Sequence, residues 1–309
     1  MNFYPEGMND SLCRTFHSTE AMKPAIESKA VLEGTVTVCD SEHNLWVDLG
    51  CTAGVIPKNE GALGILEGSV RDIALISKVG RRVCFRIMGF HRDSNGKLIP
   101  VLSRRVVQLA CRQQYIDKLR EGDILTAKVT RLEPFGAFID IGCGINSLIP
   151  IDMLSVSRIN HPRERLQPGQ LIKTVLRHRE THKLTFSLKE LLGTWEENAA
   201  AFHPGETVTG VVRSIESYGV FVELAPNLAG LAEPCGDVLP CQHVAVFIKS
   251  VVPEKMKVKL AIVEALPERE TAPSTLHYFV TGNHLERWQF SPAGCDKNIF
   301  TSFSNKTLL

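Results

Sequence analysis

Along much of the chain apolar and polar positions alternate with a period of two, the pattern of strands that bury one face. Three of these stretches share a further detail. In Leu45-Trp46-Val47-Asp48-Leu49, Ala137-Phe138-Ile139-Asp140-Ile141 and Val220-Phe221-Val222-Glu223-Leu224, aliphatic residues occupy one face while an aromatic and an acidic residue share the other. Burying the aliphatic face turns Trp46, Phe138 and Phe221 outward beside Asp48, Asp140 and Glu223. An outward ring recurring once per repeat suggests a stacking platform, and an unpaired nucleobase is the best ligand for one.

Each stretch belongs to a longer repeat. Gly34-Thr35-Val36, Ala127-Lys128-Val129 and Gly210-Val211-Val212 open the three copies. After the aromatic strand come Gly54-Val55-Ile56-Pro57, Ser147-Leu148-Ile149-Pro150 and Gly230-Leu231-Ala232-Glu233. The spacing suits small barrels better than solenoid turns. Hairpins close each copy: Arg82 to Phe90 with Lys97 to Leu102, Leu171 to Leu176 with Leu184 to Leu188, and Val244 to Val252 with Val258 to Val263. Asp93-Ser94-Asn95-Gly96 is the strongest of the turns. The pattern predicts an all-β chain with linker helices, built as three tandem five-stranded OB-fold barrels; a β-sandwich or SH3-like barrel is the alternative.

Between the repeats the period becomes helical. Ser103 is placed to cap a helix over Arg104 to Leu119 and Ser187 one over Leu188 to Phe202, each ending before a glycine, Gly122 or Gly205. Their apolar faces, with Cys111 and Tyr115 in one and Leu191 and Trp195 in the other, are expected to pack on the barrels. The domain reading is an N-terminal extension at 1–29, partly helical over Thr19 to Lys29; barrels at 30–103, 120–189 and 203–266; linker helices at 104–119 and 190–202; and a C-terminal extension at 267–309. That extension opens with a linker, Pro267 to Pro273. Its Tyr278, Phe279, Trp288, Phe290 and Phe300 are too many aromatics for disorder, so it is expected to fold back on the third barrel.

The run from Glu133 to Asp140, followed by Leu148-Ile149-Pro150 and Lys183 to Lys189, resembles the S1 RNA-binding repeat, named for the largest protein of the bacterial small ribosomal subunit. Tyr218-Gly219-Val220-Phe221-Val222-Glu223 with Asn227 to Pro234 resembles it equally well. The first copy is degenerate, with His43 and Asn44 in place of the aromatic and the glycine. The resemblance implies that Phe135 and Phe138 with Lys183, and Tyr218 and Phe221 with Lys257, contact single-stranded RNA. Lys128, Arg131, Arg177, Arg179, Arg213 and Trp46 complete the expected set. Pro150 and Glu233 stand where family members often carry a His. Phe135 and Phe138, three apart, belong on opposite faces of a regular strand. A bulge at Gly136 or Gly219 is predicted to bring both rings to one side; the alternative makes Phe135 and Tyr218 core plugs.

Charge changes the picture only locally. The 35 basic and 34 acidic residues nearly cancel, unlike the footprint of an electrostatics-dominated binder. Between Arg158 and Lys189, however, eight cations face only Glu164 and Glu180, whereas 202–266 is acidic overall, so the second barrel is expected to bind RNA most strongly. The nine cysteines contain no Cys-x-x-Cys pair. Cys235, Cys241 and His243 lack a fourth ligand, so no metal is expected. Neither a nucleophile elbow nor a phosphate loop nor clustered carboxylates point to an enzyme, and no cofactor or small-molecule substrate is expected. The absence of a signal peptide and of a long apolar run points to the cytoplasm and away from membranes. The resemblance implies mRNA and the small ribosomal subunit as partners and translation as the process. The alternative is a non-catalytic scaffold docking a ribosome, RNA-decay or transcription assembly.

Overall fold

A computed structural model describes residues 3–180, 183–236, 238–267 and 276–303. These are mostly β, and the strands form five-stranded barrels. The chain divides into two compact units. One runs to Leu119 and takes in Asp140–Asn146; the other holds Arg120–Ile139 and Ser147–Leu309.

In the first unit the strands are β1 (Leu32–Cys39), β2 (Leu45–Asp48), β3 (Ala53–Ile56), β4 (Arg82–Arg92) and β5 (Leu98–Ser103). Their order is β1-β2-β3-β5-β4, and β4 returns to pair with β1, Leu32 opposite Phe85. Val36, Leu45, Val47, Ile56, Phe85 and Leu102 fill the interior, each buried aliphatic or aromatic side chain contributing about 1.5–3 kcal/mol of transfer free energy. The N-terminal stretch expected as one helix is a 3-10 turn, Glu20–Met22, running into α1 (Lys23–Glu27). Pro24 sits in the first turn of α1, where its missing N–H is not needed. Another short helix, α2 (Ile73–Ile76), precedes β4.

The first linker forms as α3 (Arg105–Gln114) and a 3-10 turn, Ile116–Lys118. Ser103 Oγ accepts the N–H of Val106 at its start, and Val107 and Cys111 are buried along its inner face. Nearby, buried Arg104 donates to Glu6 at 2.6 and 3.0 Å.

Next come β6 (Ile124–Glu133), β7 (Gly136–Asp140), β8 (Asn146–Pro150), β9 (Leu171–Arg179) and β10 (Leu184–Ser187), all in the second unit apart from Asp140 and Asn146, and closed in the order β10-β8-β7-β6-β9. After these come β11 (Thr207–Glu216), β12 (Gly219–Ala225), β13 (Leu228–Ala232), β14 (His243–Val252) and β15 (Lys257–Ala265), closed in the order β11-β12-β13-β15-β14. Here, as in the first unit, the third and fifth strands of the repeat run parallel.

The second linker departs from the expected continuous helix. A 3-10 turn, Lys189–Leu191, ends at Gly193, whose φ of +87° no helix accommodates, and α4 (Trp195–Ala199) starts afresh behind a Thr194–Glu197 capping box. Ser187 is therefore no helix cap; its hydroxyl lies within hydrogen-bond distance of the Met153 carbonyl and the Glu190 carboxylate. Trp195 is buried in the third barrel's core cluster, packing as its helical face implied.

The C-terminal extension reaches further than expected. Trp288 and Phe290, in and beside β16 (Arg287–Gln289), join the third barrel's core. The segment also covers the second barrel: Tyr278 Oη accepts the N–H of Lys173 at 3.1 Å, and Phe303, next to β17 (Phe300–Ser302), packs with Val175 and Leu191. Apart from Pro267, the expected linker to Pro273 lies outside the described residues.

Candidate nucleic-acid interface

The second unit carries two matching pairs of rings. Phe135, 56% exposed, meets half-buried Phe138 edge to face, the centroids 5.9 Å apart and the planes at 87°. In the third barrel Tyr218, 63% exposed, meets half-buried Phe221 at 6.2 Å and 88°. Ala137, Ile139, Val220 and Val222 are buried on the opposite face, which holds the rings outward. Neither Phe135 nor Tyr218 plugs a core.

At Gly219 the predicted bulge is not how the rings meet. Through Gly219 the pairing is regular, with Glu216 opposite Gly219, Ile215 opposite Val220 and Ser214 opposite Phe221. Tyr218 sits instead in the two-residue turn Ser217-Tyr218, outside the strand and free of its alternation. The bulge lies on the partner strand at Arg213, between Val212 and Ser214. The glycines serve close backbone approach: a Cβ at Gly136 would lie 2.4 Å from the carbonyl oxygen of Ile149, and one at Gly219 2.4 Å from that of Ala232.

The expected cations fall into two groups. Arg131 places its guanidinium 4.9 Å from the Phe138 ring centroid while pairing with Glu133 at 3.0 Å. Lys183 and Lys257 are exposed at the closing hairpins, Lys128 is half-buried on β6, and Arg179 ends β9. The other two are engaged inside the protein. Arg177 lies 3.7 Å from fully buried Glu190, its guanidinium 5.7 Å from the Phe303 ring centroid. Arg213 bonds Glu223 at 2.7 Å and also Glu164, with its side chain only 10% exposed.

Two of the three carboxylates expected outside are buried; only Asp48 is exposed. Asp140, 2% exposed, accepts the N–H groups of Glu6, Gly142 and Gly144 at 2.7, 2.8 and 3.0 Å. Burial, with the neighbouring Glu6 charge, pushes its pKa up to about 6. Glu223, 6% exposed, receives Arg165 at 2.5 Å as well as Arg213. Burial pulls the Arg213 guanidinium down, and the Glu223 and Glu164 carboxylates more than offset it; for Arg165 burial prevails. Arg165, outside the expected set, thus joins the second barrel to the third. Asn227 adds to the join, donating to the carbonyls of Lys189 and Gly193 at 2.8 Å and accepting from Val156 N–H at 3.0 Å.

In the first barrel the corresponding face is tied down. Trp46 Nε1 donates to Asp40 at 3.1 Å, as does Asn44, and Asn44 Oδ1 accepts the N–H of Lys58. His43, at φ +64°, lies 3.5 Å from Asp72, which also meets Lys58 at 2.7 Å. Among the described residues no aromatic ring pairs with Trp46. The degenerate motif has therefore exchanged a second ring for a hydrogen-bonded turn.

The family model of the S1 RNA binding domain matches residues 118–188, the second barrel. The small ribosomal subunit protein bS1 of Staphylococcus aureus is 36% identical over 282 residues, which cover 84% of this chain and 69% of that protein. The bS1 homolog of Bacillus subtilis is 31% identical over 220 residues, 69% of this chain and 54% of that one. Among solved structures, a multidomain protein with nucleic acid binding domains from Streptococcus pneumoniae covers 76% of this chain, and 74% of its own, at 14% identity. Its TM-score of 0.24 carries no weight.

Proposed function

Because the chain belongs to the family of the bacterial small ribosomal subunit protein bS1, we infer that it binds single-stranded RNA, mRNA included, as an S1-like ribosomal protein acting in translation. The observation that carries this reading is the twofold recurrence of an exposed ring held edge-on to a half-buried one. Such a pair offers flat apolar surface to unstacked bases, with little dependence on sequence because every base has a π-face. Phe135, Phe138, Tyr218 and Phe221 are the stacking residues in this reading; Arg131, Lys128, Arg179, Lys183 and Lys257 supply the cations.

The finer architecture belongs to the same proposal: three tandem OB-fold barrels of the S1 type at 30–103, 120–189 and 203–266, the first without a ring pair. The protein acts non-catalytically, on the small ribosomal subunit and in the cytoplasm. No helix among the described residues is long and apolar enough to cross a membrane. A scaffold role for the first barrel is favoured by its tied Trp46 face.

Titration of single-stranded RNA, duplex RNA and single-stranded DNA against the full chain tests the proposal. Binding of single-stranded RNA that persists unchanged in Phe138→Ala and Phe221→Ala would remove stacking as its mechanism. Attachment to small subunits that survives nuclease treatment would favour the scaffold reading.

A further inference from the structure

The strand face that presents Phe221 continues into a groove. On β12, Phe221 and Glu223 point to the same outer side about 7 Å apart along the strand, and Ser214 and Val211 stand opposite them on β11. A cavity of about 380 Å³ opens over the Glu223 end. Arg163, Glu164 and Arg165 of the second barrel wall one side; Thr209, Arg213 and His243 of the third wall the other.

The charges in this groove do not cancel, since three guanidinium groups face two carboxylates. Glu223 Oε2 accepts from both Arg165 and Arg213, and Glu164 Oε2 accepts from Arg213 Nη1. A guanidinium carries five N–H donors. Arg213 Nη2 and the whole Arg163 head group have no partner among the described residues. Arg163 is exposed and is held by its backbone N–H, which donates to His161 Nδ1 at 3.1 Å.

We propose that the groove is a phosphate-binding extension of the third barrel's ring site, holding the RNA backbone just beyond the base stacked on Phe221, with Arg163 as its main cation. The proposal rests on the RNA-binding function inferred above. Flat rings followed along one strand face by guanidinium donors match the order of base and phosphate in a single strand. Because Arg163 belongs to the second barrel and Phe221 to the third, one strand engages both barrels. The acidic balance of the third barrel is thereby met by a cation lent from its neighbour.

The test titrates labelled oligouridylate against the full chain over a series of salt concentrations. Arg163→Ala is expected to weaken binding about three- to tenfold and to lower the slope of log affinity against log salt by about 0.7, the share of one single-strand phosphate. Phe221→Ala is expected to weaken binding with the slope unchanged. A strand carrying 4-thiouridine is expected to cross-link both to Tyr218 and to the Cys241-Gln242-His243 segment. An unchanged slope in Arg163→Ala overturns the groove assignment, as does cross-linking at Tyr218 with none at Cys241 to His243; RNA binding by the parent then leaves the broader function standing. A parent that binds no RNA overturns both.

Discussion

The Arg165 guanidinium donates to the Glu223 carboxylate at 2.5 Å, and both groups are buried where the second and third barrels meet. Glu223 also holds Arg213, so one carboxylate is shared by two guanidinium groups withdrawn from water. Removing it leaves both cations with a large desolvation cost and less compensation. Glu223→Ala is therefore expected to destabilise the second unit by about 3–5 kcal/mol, read as a lower midpoint in urea. Equal midpoints for variant and parent would show that the pair contributes nothing.

Tyr218 and Phe135 are the more exposed members of their ring pairs. Alanine at either position is expected to cost about 1–3 kcal/mol of single-stranded RNA binding with little change in melting temperature. Trp46→Ala is expected to leave RNA affinity unaltered, since that ring is held against Asp40 without a partner ring. Fluorescence anisotropy on the three variants checks both halves of the expectation.

Glu33 in the first unit accepts the Gly7 N–H at 3.2 and 3.1 Å, yet burial, with the Glu6 and Asp140 charges, raises its pKa from 4.5 to about 7. The fold therefore favours the protonated form. The resulting stability is fully present below about pH 4.5 and is lost as pH rises through about 7. Asp140, raised to about 6, works in the same direction. Glu6 works oppositely: burial would raise it, but Arg104 and Lys78 hold it at about 2, so its contribution is present above about pH 4.5 and is lost as pH falls through about 2. Amide exchange in β1 is expected to accelerate between pH 5 and 8 beyond the intrinsic trend, and Glu33→Gln should flatten much of that rise.

Trp288 fills the third barrel's core from a segment beyond the last barrel strand. Trp288→Ala is expected to cost about 3–5 kcal/mol, as a large buried ring does, and to expose the third barrel to proteolysis. Calorimetry showing an unchanged transition would mean that the extension is dispensable ornament on a self-sufficient barrel.

The repeated strands and their inner faces were legible in the sequence because strand alternation is local. Val220 and Val222 declare Phe221 outward without reference to anything distant. The exposure of Tyr218 follows from a feature that strand alternation does not carry. A two-residue turn frees it, while Gly219 is required by the carbonyl of Ala232, thirteen positions along the chain. The second linker was overextended for a related reason: its apolar spacing is helical, and Gly193 with the Thr194 cap interrupts it.

By itself, then, the amino-acid order determined the mostly β character, the buried aliphatic set and the rings that remain outside, all consequences of side-chain periodicity. Tertiary structure decided which charges are available. Asp140, Glu223, Arg177 and Arg213 look like surface residues in the sequence, and each meets a partner that only folding brings near. Coulombic pairing depends on distance through space, so the Arg165–Glu223 contact, spanning 58 residues, has no local signature to read.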